Sequence, residues 1–308
     1  MDVELRDSSA LLLPSATPTP ESRPSEYKEA LADIWNQDDH YKIGGISVVR
    51  ECSPEDDYRR KCELTIKSSG HLVQRFVVED GRKYWLKYGI LNLLGNDSQQ
   101  LIVFTYSGGA HCCYDYSIYD LKPKLRLIYS TPFDSANVVG NELVPMDIDG
   151  DGVQEFYQDV MGFDYWGQGG HASASFPPAI FAYEKNTHRY KIANKRFPNF
   201  VMSRLDDLSA LIEQGDWPDQ DGKNEYLVRT KFLYLIYASQ REAAWKYFNE
   251  NYRSSNGIGY QEQFKEQFKR EAREIFAKDP TYLSIYGSRP IPTSSPTQNI
   301  SKHQRSDD

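Results

Sequence analysis

Four carboxylates fall within nine residues, at Asp147, Asp149, Asp151 and Glu155. Acidic residues at positions one, three and five of a tight loop aim three carboxylates at one point. Such hard oxygens suit Ca²⁺, which takes about six to eight of them at about 2.3–2.6 Å. Gly152 directly follows the third aspartate and permits a sharp turn, because glycine tolerates positive φ. The backbone carbonyl of Val153, at position seven, adds an oxygen, and Glu155, at position nine, closes the shell as a strand begins. The expected ligand set is therefore Asp147, Asp149, Asp151, Val153 and Glu155, with Ca²⁺ as the ion. An EF-hand would need a bidentate Glu at position twelve, where this chain has Gln158, and helices on both flanks, where this chain reads as strands. The competing reading is a solvated acidic turn.

Two other segments carry residues capable of chemistry. Ser107-Gly108-Gly109-Ala110-His111-Cys112-Cys113 joins two predicted strands. A Cys nucleophile beside a His base would be nucleophilic catalysis. Adjacent residues on a strand point to opposite faces, however, so His111 and Cys112 diverge. A bulged hairpin with disulfide cysteines is the expected reading. A zinc site of Cys52, Cys62, His111 and Cys112 lacks the C-x₂₋₄-C spacing that would support it. The second segment is the aromatic, glycine-rich run from Phe163 to His171. Exposed Tyr and Trp there would suit sugar or protein contact, while a buried aromatic plug is the alternative. Asp164 and His171 have no visible third partner. No catalytic residue is assigned, and a hydrolase using His111 and His171 near the ion loop stands as the alternative function.

The disulfide candidates are Cys52, Cys62, Cys112 and Cys113, which allow three fully paired connectivities. A bond between the neighbours Cys112 and Cys113 would be strained. A Cys52–Cys62 bridge across SPEDDYRRK is expected, and two bridges from that segment to the Cys112–Cys113 dipeptide remain open. The even count, the acidic loop and the richness in Tyr favour an oxidising compartment. Against this, Leu11-Leu12-Leu13 is too short for the apolar core of a secretory signal and follows an acidic start. The expectation is export, to the periplasm or the extracellular space. A cytosolic immunity- or inhibitor-type protein with reduced cysteines is the opposing case.

The elements that must position these residues follow from composition and periodicity. The chain has 308 residues, 39% of them hydrophobic, and a net charge of −8. The acidic balance argues against a nucleic-acid partner. No apolar run reaches the roughly 18–20 residues of a transmembrane helix. Residues 1–25 are Ser/Pro/Thr-rich and read as a disordered lead; 288–308 read as a similar tail, with a glycosylation sequon at Asn299-Ile300-Ser301. Between about 44 and 195, short runs rich in Val, Ile, Tyr, Phe and Thr alternate with turn clusters, the pattern of β-strands. From 199 to 285, apolar residues recur every three, four and seven positions, as in amphipathic helices. The domain expectation is a β-repeat unit over 26–195 and a helical domain over 199–285.

The segment Asn92–Ile102 lies over Asp147–Tyr157 at an offset of 55 positions, with Gly95 on Gly150 and Gln99 on Gln154. Such a period lies close to that of propeller blades, about 40–50 residues. With its D-x-D-x-D-G loop, the stretch over roughly 90–195 resembles FG-GAP/VCBS-type repeats, known from integrin α-chain propellers and many bacterial exported proteins. The resemblance implies a calcium loop between strands acting mainly as a structural brace. The first copy departs from the pattern: its ligand positions are Asn92, Leu94, Asn96 and Gln100, so no ion is expected there. The SGGAHCC run also resembles a segment of uncharacterised bacterial exported proteins with D-x-D-G-D-G loops. The expected fold is α+β, an antiparallel β domain of propeller-blade type with about two to three units, followed by a small helical domain. The expected function is a non-catalytic, calcium-braced binding or interaction protein with a protein or carbohydrate partner.

Overall fold

The computed structural model describes residues 39–53, 61–78, 86–95, 98–106, 114–131, 143–164, 166, 174–214, 220–253 and 261–288. The N-terminal lead and the tail beyond 288 lie outside them. Twelve strands form three four-stranded antiparallel sheets. The first holds β1 (His40–Ile43), β2 (Ile46–Cys52), β3 (Cys62–Ser68) and β4 (His71–Val78). The second holds β5 (Leu86–Leu91), β6 (Gln100–Tyr106), β7 (Tyr114–Asp120) and β8 (Arg126–Ser130). The third holds β9 (Val144–Met146), β10 (Glu155–Asp159), β11 (Pro178–Glu184) and β12 (Arg189–Ile192). In each sheet, strands adjacent in sequence are adjacent in space, and none closes on itself among the described residues.

Burial explains the strand sequences. In β2 and β3, Ile46, Val48, Leu64 and Ile66 are buried while the residues between them are half-buried. This is the period-two pattern of a sheet with one covered face. β6 breaks that pattern, because Gln100 through Phe104 are all buried. Leu101 and Val103 join the apolar cluster of the first sheet, whereas Ile102 and Phe104 join the cluster that holds the third sheet. The second sheet is thus a middle layer covered on both faces, which requires a continuous apolar run instead of alternation.

Five helices follow among the described residues: α1 (Pro198–Gln214), α2 (Gln220–Tyr237), α3 (Arg241–Asn251), α4 (Gln261–Phe276) and α5 (Pro280–Tyr286). Their aromatic stripes are core. Phe232, Trp245, Phe248, Phe268 and Phe276 share one cluster with Phe156 and Phe181 of the third sheet. In α2, every residue from Phe232 to Tyr237 is buried, so its C-terminal end is covered all round. Asn194, in a short 3-10 turn after β12, ties this helix to the third sheet. Its amide donates to the carbonyls of Pro178 (2.9 Å) and Tyr237 (3.1 Å), and its oxygen accepts from Ile180 N–H (2.9 Å). With Pro280 at its first position, α5 is capped by Asp279, whose carboxylate accepts from the N–H groups of Thr281 and Tyr282.

Candidate metal site

β9 and β10 pair antiparallel with Met146 opposite Glu155, so both ends of the acidic loop between them are held by one hairpin. Gly150 and Gly152 take φ values of 76° and 82°, which side chains other than glycine rarely adopt. The turn they permit gathers Asp147, Asp149 and Asp151, with one carboxylate oxygen from each within 4.8 Å of the others. Asp147 Oδ2 accepts from Gly152 N–H (3.0 Å), and Asp151 Oδ1 accepts from Val153 N–H (2.8 Å). Asp147 Oδ1 is shut off from solvent and accepts no hydrogen bond. Asp149 Oδ2 pairs with the Arg196 guanidinium at 2.8 Å.

Glu155 stands apart from this trio. Its side chain is buried, and Oε2 accepts from Ile148 N–H at 3.0 Å. Burial pushes its carboxyl up to about 7. The Ile148 N–H and Arg196 act in the opposite direction, while Asp149 and Asp151 add to the rise by repulsion. Val153 takes part in the loop through its N–H. The structure thus brings three of the expected ligands together and uses the fourth carboxylate to hold the loop. The Asp147, Asp149 and Asp151 group could hold a metal ion. A carboxylate oxygen hidden from water without a donor is what a hard cation would satisfy.

The loop 55 positions earlier is built in the same way. Gln100 Oε1 accepts from Leu93 N–H (2.7 Å), just as Glu155 does from Ile148. Gly95 has a φ of 75°, matching Gly150. Gln100, being an amide, also donates, to Ser98 Oγ (2.8 Å) and Asp120 Oδ1 (3.3 Å). Leu94 packs against the core cluster, and Asn96 lies outside the described residues. The two loops touch. A Cβ on Gly95 would come within 2.3 Å of the Gly152 carbonyl oxygen, and Gln154 N–H donates to the Leu93 carbonyl at 2.7 Å. From the other side, the Tyr190 hydroxyl on β12 donates to the Gln154 carbonyl (2.9 Å). The acidic loop is therefore clamped between the second sheet's loop, the last strand of the third sheet and Arg196.

Sequence reasoning missed Arg196, the Gln100 and Glu155 latches, and the contact between the loops. The 55-residue offset was a signal for the latches, since it superposes Gln100 on Glu155. Arg196 carried no signal, because it is 47 positions from Asp149.

The remaining candidates divide clearly. Cys52 and Cys62 are register partners on β2 and β3 and form a disulfide, which uses two of the three sulfurs that the zinc alternative needed. His111, Cys112, Cys113 and His171 lie outside the described residues. In the aromatic run, Phe163 and Trp166 are buried in the helical core, against Phe276 and Phe268 respectively, so this part is a plug. No helix among the described residues is long and apolar enough to cross a membrane. No protein-family model, curated protein or solved structure matches the chain.

Proposed function

We propose that this chain is a non-catalytic, calcium-braced binding module that works outside the cytoplasm on a protein or carbohydrate partner. The observation that carries the reading is the convergence of Asp147, Asp149 and Asp151 around a solvent-shielded Asp147 oxygen with no donor. Without a cation these carboxylates repel one another. Ca²⁺ supplies charge neutralisation and a flexible oxygen-coordination shell, which Val153 and Glu155 would complete. Because the acidic loop also rests on the loop between β5 and β6, holding it rigid would brace the second sheet against the third. Three face-to-face four-stranded meanders support the FG-GAP-like, propeller-blade reading. The Cys52–Cys62 bond supports an oxidising compartment, periplasmic or extracellular.

Thermal unfolding in EDTA and then in millimolar Ca²⁺ tests this reading. A ligand that binds only the folded state stabilises it by about 2.7 kcal/mol at a hundredfold excess over Kd. The melting temperature should rise with Ca²⁺, and less with Mg²⁺, which demands octahedral geometry and sheds its waters reluctantly. Asp149→Ala should remove the rise. Identical melting of the wild type in EDTA and calcium, with no metal found by elemental analysis, would leave a plain acidic turn.

A further inference from the structure

No further inference is drawn: the strongest candidate, the exposed apolar strip of Leu72, Val73 and Val77 on β4 at the open edge of the first sheet, carries nothing because nothing in the structure shows what covers it.

Discussion

Glu155 and Gln100 do the same mechanical work with different charge. Each begins a strand and each reaches back to an N–H in the preceding loop, Ile148 or Leu93. An amide does this in a buried site without burying a charge. A carboxylate must lose its hydration and sit beside Asp149 and Asp151, which is why its carboxyl is pushed up to about 7. Glu155→Gln should therefore keep the latch: in EDTA the variant should unfold at or above the wild-type temperature, while its gain from calcium shrinks. Glu155→Ala leaves Ile148 N–H without its acceptor and should cost about 1–3 kcal/mol. Calorimetry of both variants decides the matter, and a Gln variant as unstable as the Ala variant would remove the latch role. The acidic spacing and Gly152 were legible because a ligand loop is local in sequence. The roles inside the loop were not, because Asp147 and Asp151 accept from backbone N–H groups within the trio while Glu155 turns away to Ile148 N–H, a division that depends on the turn actually formed.

At the scale of elements, two contacts set how the pieces meet. Gly95 lies against the Gly152 carbonyl with a φ of 75°, so Gly95→Ala adds both a backbone clash and conformational strain. Strain at such a position costs of order 1–3 kcal/mol. The variant should melt lower and lose part of its calcium response; unchanged melting would mean that the two loops are not pressed together. The second contact is Asp279, which caps α5 and accepts from the buried Tyr237 hydroxyl. Burial raises its carboxyl above the usual range, against the hydrogen bonds that lower it. The folded state then holds a proton that the unfolded chain releases near pH 4, so stability from this group is lost as pH rises from there through the raised folded value. Asp279→Asn removes that dependence. The melting temperature of the wild type relative to this variant should climb as pH falls from 7 towards 4, and a constant difference would contradict the assignment. Nothing in the sequence shows that Tyr237, 42 positions away, supplies the hydroxyl. The β6 run was equally incomplete: its apolar residues announce burial, and only the stacking of sheets shows that both faces are covered.

Across the whole molecule, the acidic loop sits where three parts of the fold converge. The second sheet contributes the Gly95 loop, the third contributes Tyr190, and Arg196 lies just before α1. The helices share their apolar cluster with the second and third sheets, so a brace at this junction bears on one continuous core. Arg196 already pairs with Asp149, so a cation bound by the trio would have to share that carboxylate with it or displace it. An exposed ion pair of this kind is worth about 0–1 kcal/mol, up to about fivefold in affinity. Calorimetric titration of EDTA-stripped protein with CaCl₂ measures cation binding at the acidic loop directly. One site per chain is expected, with Kd of about 10⁻⁴–10⁻³ M, the range of extracellular modules, tightened by Arg196→Gln and abolished by Asp149→Ala. Absence of calcium binding by the folded wild type at millimolar concentration, or binding unaffected by Asp149→Ala, would contradict it.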